Sequence, residues 1–185
     1  MTLDEQSTQK EHVSFRLDKS CLERLQNEAK NQNITLTQLL YDIIRQYLDW
    51  YSVSPKSGVI PMHKKIITAL VERLDDKTLA HIANDIAKNE FKNIILIFKN
   101  EFTLDAWLEI FESWLKITGF PYKHEYANEH HTIIVHHEMG QKFSEFEKEL
   151  LGAVFEMFNV KVDFEVCNDT IMLKFKMQSN HQNRI

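Results

Sequence analysis

Histidine is concentrated in one short stretch of this 185-residue chain. Five of the nine histidines fall between positions 124 and 137: His124, His130, His131, His136 and His137. Histidine is the commonest metal ligand and the side chain that titrates closest to neutral pH. If the chain binds a metal or senses pH, we expect these histidines to be responsible. Because adjacent residues of a strand point to opposite faces, His136 and His137 cannot chelate one ion together.

His124 and His131 are the pair whose spacing allows them to act together. If residues 122–137 form a hairpin with its turn near Asn128-Glu129, these two histidines are diagonal neighbours on one face, about 7–8 Å apart. They are weak candidates for a shared metal ion. The alternative, which we favour, is that all five are surface or half-buried strand histidines. No cofactor is predicted, although a metal or small-molecule effector remains open.

Other patterns of catalytic residues are missing from the sequence. It has no Gly-rich phosphate loop, no GxSxG elbow and no HExxH motif. Glu109 and Glu112 are three residues apart and could lie side by side on a helix, but no base or nucleophile accompanies them. We expect the chain not to be an enzyme. Large aromatic residues at helical spacing could line an apolar pocket but are more often core: Trp107, Phe111, Trp114, Phe143, Phe146, Phe155 and Phe158.

Composition is that of a globular protein with long regular elements, with 43% hydrophobic and 26% charged residues and only 4 Gly and 3 Pro. Cys21 and Cys167 have no CxxC spacing, which predicts neither a disulfide framework nor a zinc ribbon. No apolar run approaches the ~20 residues that span a bilayer, and the polar N-terminus is unlike a signal peptide. We therefore expect a cytoplasmic protein without a membrane partner.

The stretch from Val13 to Trp50 predicts one strand followed by two helices. Val13, Phe15 and Leu17 alternate with polar residues, which gives a strand with one apolar and one polar face. Asp18 can cap the first helix, and the break at residues 31–33 ends it. The second helix starts at Thr35, where residues 35–38 have the spacing of a capping box.

A lone strand and two helices cannot bury this many apolar residues by themselves. The economical solution is a homodimer in which the strands of two copies pair antiparallel. In these features residues 12–51 resemble the ribbon-helix-helix family of prokaryotic DNA-binding regulators. The resemblance covers roughly the first 50 residues and rests on pattern and spacing, and this chain has Asn33 where the family often has Gly.

The resemblance implies that the paired strands read double-stranded DNA in the major groove. Arg16 is the strongest base-reading candidate, since a guanidinium can contact guanine with two hydrogen bonds. The start of the second helix would hold a backbone phosphate. The implied base-reading residues are His12, Ser14 and Arg16, and the implied phosphate-binding residues are Lys10, Thr35, Leu36 and Thr37.

Charge favours an alternative for the same stretch, a module that only dimerises. Residues 1–52 contain six Lys or Arg against eight Asp or Glu, whereas nucleic-acid binders usually have a basic footprint. A dimer would nevertheless concentrate Lys10, Arg16 and Lys19 around its twofold axis, so the local charge can differ from the sum.

The rest of the chain predicts a second domain of α+β class. We expect a flexible arm at residues 1–11, a Ser- and Pro-containing linker at 52–61, the domain at 62–177 and a flexible tail at 178–185. Helices are predicted first, with 91–98 assigned to helix although a buried strand is as compatible. Two helix–hairpin units follow and form one antiparallel sheet with helices on a single face. Ser144 and Glu147 are expected to form a capping box at the start of the last helix.

Alternation fixes the register of the last hairpin. A two-residue turn at Asn168-Asp169 places Val166 opposite Ile171 and Val162 opposite Phe175, and puts every apolar residue on one face. A slip by one residue would destroy this arrangement.

Together these patterns predict a transcriptional regulator that binds an operator as a dimer. Its second domain would sense a ligand or join dimers into tetramers, which is an analogy from architecture. Two alternatives remain open. One is an antitoxin that represses its own operon and binds a partner protein, although more than 100 patterned residues after the linker count against it. The other is a histidine-dependent, metal-responsive repressor.

Overall fold

The computed structural model describes residues 11–177. Lys10, most of the predicted arm and the predicted tail at 178–185 lie outside the described residues. The chain divides into two compact units, Met1–Arg45 and Gln46–Ile185. This division precedes the predicted linker at 52–61. Trp50 and Ser54 are buried, and the Trp50 ring lies 5.1 Å from the ring of Phe98, so this segment packs within the second unit.

The first unit contains helices α1 (Lys19–Asn31) and α2 (Leu36–Gln46). Asp18 Oδ1 accepts a hydrogen bond from the backbone N–H of Cys21 at 2.8 Å and caps α1 as predicted. The backbone of Asn33 is left-handed (φ 54°), which suits asparagine in the turn between two helices. Thr35 Oγ1 accepts from the N–H of Gln38 at 3.1 Å, so one half of the predicted capping box forms.

The predicted strand at residues 13–17 does not form, and among residues 11–177 no strand pairs with this segment. Residues 11–18 form neither helix nor strand. The side chains on its apolar side face solvent, with exposed fractions of 76% for Val13, 56% for Phe15 and 40% for Leu17. This segment of unit 1 therefore leaves its apolar face uncovered.

The second unit begins with a helical layer. A π-helical turn (Tyr47–Tyr51) and a short 3-10 helix (Ser54–Ser57) lead into three helices. These are α3 (Lys64–Val71), α4 (Asp76–Ile86) and α5 (Lys92–Lys99), with a second π-helical turn at Ala87–Phe91. The helix assignment of the apolar run at 91–98 is confirmed.

Two helix–hairpin units complete the second unit. The first consists of α6 (Leu104–Thr118), β1 (Tyr122–Ala127) and β2 (His130–His136). The second consists of α7 (Gln141–Met157), β3 (Val162–Cys167) and β4 (Thr170–Lys176). Their strands form one antiparallel sheet in the order β1-β2-β4-β3. This is the predicted α+β architecture.

Both predicted hairpin registers are confirmed. Tyr122 pairs with Val135 in the first hairpin, and Val166 pairs with Ile171 in the second. The turn near Asn128-Glu129 gave the first register, and alternation gave the second. One face of the sheet is buried: Ile133, Val135, Ile171, Leu173 and Phe175.

The two helix–hairpin units are related by an approximate twofold axis. β3 and β4 each begin 40 residues after β1 and β2, respectively. The inner strands β2 and β4 pair antiparallel, and Ile133 faces Leu173 at the middle of their ladder. These two residues are also 40 positions apart, so the axis passes through this buried pair.

The predicted capping box of α7 is wrong. The helix begins at Gln141, which makes Ser144 and Glu147 interior residues, and both are buried. Its first amide groups are capped from the β3–β4 turn instead. The N–H of Gly140 donates to Asp169 Oδ1 at 2.8 Å and the N–H of Gln141 to Asn168 Oδ1 at 3.2 Å.

Most of the predicted aromatic cluster belongs to the core of the second unit. Trp107, Phe111, Phe143 and Phe155 are buried, and Trp114, Phe146 and Phe158 pack against them. Among the residues described, 11–177, no helix combines the length and the apolar character that crossing a membrane requires.

Candidate functional site

The predicted base-reading residues lie on the exposed N-terminal segment of the first unit. His12, Ser14 and Arg16 are all exposed, and they alternate with the apolar residues of the same segment. All three side chains are therefore accessible to solvent.

The predicted phosphate site lies at the start of α2. Leu36 and Thr37 open the helix, and the N–H groups of a first helical turn have no acceptor within the helix. Thr35 and Thr37 are exposed and Leu36 is half-buried. These amide groups can therefore donate to an anion from solvent.

In the second unit, Glu112, His124 and His131 form a continuous hydrogen-bonded chain, which we call the histidine chain. Glu112 Oε1 on α6 lies 2.6 Å from His124 Nδ1 on β1. His124 Nε2 lies 2.9 Å from His131 Nδ1 on β2. The predicted pairing of the two histidines is confirmed, and Glu112 has the partner that the sequence did not reveal.

Aromatic rings fix the position of His131. It stacks on Phe175 with ring centroids 5.0 Å apart and an angle of 14° between the rings. On Tyr126 the corresponding values are 5.8 Å and 22°. The histidine chain lines an open groove of about 780 Å³ beside α6, which also contains Asp105, Leu108, Glu109, Tyr122, Lys123, Tyr126 and Met177.

With both imidazoles neutral, one placement of the protons gives each hydrogen bond of the histidine chain a donor and an acceptor. If Glu112 is ionised, the Nδ1–H of His124 donates to it, which leaves Nε2 of His124 as an acceptor. The Nδ1–H of His131 then donates to that nitrogen. The two imidazoles are neutral in this arrangement, and each of the two hydrogen bonds contains one proton.

The geometry does not favour a metal ion between the two histidines. Their facing nitrogens are 2.9 Å apart while their ring centroids are 5.1 Å apart, so the nitrogens point almost directly at each other. A metal ion between them would need two metal–nitrogen bonds of about 2.0–2.1 Å each, which together are longer than the distance between the two nitrogens. In the part of the chain that the structure describes, no group of three or more His, Cys, Asp or Glu side chains could hold a metal.

Burial and neighbouring charge modify the acid–base behaviour of the groove. Burial lowers the pKa of His131, and the charge of His124 lowers it further, whereas Asp105 and Glu112 act in the opposite direction. Burial also raises the pKa of Tyr122, and the Glu112 carboxylate adds to this rise.

Another histidine of the cluster, His137, lies fully buried beside Ser144. Its Nδ1 accepts from the N–H of Met139 at 3.0 Å, so its Nε2–H donates to Ser144 Oγ at 2.7 Å. Burial lowers the pKa of His137 to about 4. The hydroxyl of Ser144 lies within donating distance of the carbonyls of Cys167 and Asn168.

This pair is not a nucleophile and base. His137 donates to the serine rather than accepting its proton, and both side chains are inaccessible. Its role is structural, since it ties the end of β2 and the β3–β4 turn to α7. The sequence predicted a surface or half-buried position for His137 and a helix cap for Ser144, and both predictions are wrong. A polar pair with partners this distant in sequence leaves no local signal.

Glu147 is a buried carboxyl group on α7, with 6% of its surface exposed. Desolvation raises its pKa to about 8. It is therefore mostly protonated at neutral pH and acts as a neutral part of the core.

The remaining histidines of the cluster lie on the surface. His130 and His136 are exposed, and His136 Nδ1 lies 2.9 Å from Thr170 Oγ1. The expectation of surface histidines is therefore confirmed for these two.

Comparison with family models gives no match for this chain, and comparison with curated proteins gives none either. Among solved structures, it is similar to the Fe(II) unliganded H-NOX protein from K. algicida at 15% identity, with 88% of this chain and 74% of that chain covered and a TM-score of 0.28. An alanine-to-glycine mutant of that protein aligns at 13% identity over 97% and 83% of the two chains, with a TM-score of 0.26. TM-scores this low do not establish a shared fold.

Proposed function

We propose that this chain is a prokaryotic transcriptional regulator that binds operator DNA as a homodimer. Residues 12–17 of each copy form one strand of a two-stranded ribbon that enters the major groove. The second unit is then the ligand-sensing or oligomerisation domain of the regulator.

The observation that carries this proposal is the uncovered apolar face of the first unit. Ala29 is the buried residue of α1 and Leu39 that of α2, whereas Phe15 is 56% exposed and Ile44 51% exposed. Full burial of one such side chain contributes about 1.5–3 kcal/mol. A second copy of the same segment is the economical cover, because it also supplies backbone partners for residues 13–17.

Pairing through this segment would leave a polar face for DNA. His12, Ser14 and Arg16 are exposed, and in a strand they would lie on the side opposite the apolar residues. In a ribbon, two copies of this face would lie next to each other across the twofold axis. Arg16 supplies the charge and the two-pronged donor that guanine recognition uses.

The start of α2 supports the same function. Its first amide groups can hold a phosphate, which fixes the position of the ribbon on the duplex but carries no sequence information. The two kinds of contact make separate predictions. Loss of Arg16 should relax sequence selection, whereas Thr37→Glu, which puts a carboxylate beside these amide groups, should weaken binding to all sequences.

The test uses the full chain with random and genomic duplex fragments, selected by wild type, Arg16→Ala and Arg24→Ala. Arg24 is an exposed residue of α1 outside the proposed interface and controls for the loss of one positive charge. Affinity for the selected sequence is measured by fluorescence anisotropy at two salt concentrations. Phosphate contacts make affinity fall steeply as salt rises.

We expect wild type and Arg24→Ala to enrich the same sequence, and Arg16→Ala to lose the selection with a cost of about 1–3 kcal/mol. The proposal is overturned if wild type is dimeric by sedimentation and binds no duplex at either salt concentration. In that case the first unit is a dimerisation module, the alternative that its acidic charge favours.

A further inference from the structure

The histidine chain interrupts the twofold similarity of the two helix–hairpin units. The residues 40 positions after Glu112 and His124 are Gly152 and Phe164. Phe164 packs close to Gly152, since a Cβ at that glycine would lie 3.7 Å from the ring. One half of the unit therefore joins helix to sheet by apolar packing, and the other joins them through three titratable groups.

The number of protons bound to His124 and His131 decides whether the hydrogen bonds of the histidine chain can form. With one additional proton, His124 donates from both nitrogens, to Glu112 and to His131, and the imidazolium is balanced by the carboxylate. With two additional protons, both facing nitrogens carry hydrogen at a separation of 2.9 Å. Their hydrogen bond is lost and two positive charges lie side by side, so the rings must move apart.

Charged and titratable groups face the two histidines from three elements. From α6, Asp105 and Glu112 favour protonation of His131, and Glu109 is paired with Lys99. From β1, Lys123 is paired with Glu125 at 2.5 Å, and Tyr122 and Tyr126 contribute phenol groups. From β4, Phe175 covers one face of His131.

We propose that the histidine chain is a pH-sensitive latch that holds α6 to the β1–β2 hairpin while at most one additional proton is bound. Protonation of both imidazoles opens the latch: His131 leaves its stack between Tyr126 and Phe175, and Glu112 and the groove beside α6 become more exposed. This inference concerns the second unit alone and does not rest on DNA binding.

The test measures amide hydrogen exchange of the full chain by mass spectrometry between pH 7.5 and pH 5, after correction for the intrinsic pH dependence of exchange. His137, whose pKa is about 4, stays largely neutral in this range. The variants are His131→Phe, which keeps an aromatic ring in the stack but cannot titrate, and His130→Gln. His130 is the exposed neighbour on the same strand and serves as the matched control.

In wild type and His130→Gln we expect protection of α6 and β1 to fall as pH decreases across this range, by up to about tenfold per pH unit for each additional proton that the open state binds. Protection of α6 and β1 in His131→Phe should be nearly independent of pH. The latch is wrong if wild-type protection does not change with pH, or if His131→Phe loses protection as wild type does.

If His131→Phe does not fold, a measurement on wild type alone tests the latch. Nitrogen chemical shifts of the histidine rings report the tautomer and charge of each imidazole. The latch requires that both rings carry the proton on Nδ1 at pH 7.5, and that protonation of one shifts the titration of the other. Two independent titration curves would overturn it.

Discussion

At the scale of single residues, the described part of the second unit buries four polar side chains: Ser54, His137, Ser144 and Glu147. Buried polar groups normally have hydrogen-bond partners, and His137 and Ser144 satisfy each other. Glu147 instead is neutralised by its raised pKa. The sequence suggested a helix cap for Ser144 and Glu147 because their spacing fits one, but a helix interior with distant partners has the same spacing.

Glu147 should make the protein less stable as pH rises. Its pKa is about 8 in the folded protein, against 4.5 for an ordinary glutamate side chain. Between these values the folded protein keeps a proton that the unfolded chain releases. The free energy of unfolding should therefore fall by about 1.4 kcal/mol per pH unit over this window and stop falling above pH 8. Urea unfolding at pH 5, 7 and 8 measures the slope.

The substitution Glu147→Gln should remove this slope and leave the protein more stable than wild type at pH 8. Glu149, two residues further along α7, is exposed, so Glu149→Gln is the matched control and should keep the wild-type slope. An unchanged slope in Glu147→Gln would show that another group causes the pH dependence.

At the scale of elements, the pattern of the sequence was most informative where one face is buried. The register of the second hairpin follows from strict alternation and that of the first from its two-residue turn. The caps of α1 and α6 are local, with Asp18 and Thr103 each accepting from the N–H three residues later. The cap of α7 comes from a turn 27 to 29 residues away. No window of the sequence contains both partners.

The cap supplied by the β3–β4 turn can be tested with Asp169→Ala. This substitution removes the acceptor of the Gly140 N–H and one negative charge near the N-terminus of α7, and should cost about 1 kcal/mol of unfolding free energy. Urea unfolding gives the total cost, and amide exchange in the first turn of α7 locates it. Asp163→Ala, in an exposed position of β3, is the control, and an equal loss in both variants would contradict the cap.

At the scale of the whole molecule, the domain boundary was the least predictable feature. Ser, Pro and Gly in residues 52–61 are typical of a linker, yet the compact units divide between Arg45 and Gln46. The composition indicated a break in regular helix. It could not show that Trp50 and Ser54 are buried in the second unit.

A homodimer formed through the first unit should be sensitive to charge on its apolar face. Ile44→Glu places a carboxylate where the proposed partner would bury a side chain, so the dimer should dissociate at concentrations at which wild type is dimeric. Sedimentation velocity over a concentration series measures this. Ile60→Glu, at a position 70% exposed in the second unit, should leave the dimer intact, and dissociation of both variants would argue for another interface.

The approximate twofold axis of the second unit also has a consequence for the order of folding. Each hairpin closes over a two-residue turn, which takes about 1–10 μs, whereas the β2–β4 ladder joins residues as distant as His130 and Lys176 and carries a larger loop-closure entropy. We therefore expect the two halves to form early and the ladder to join them late. Truncation of Ile133 or Leu173 would then accelerate unfolding more than it slows folding in stopped-flow experiments.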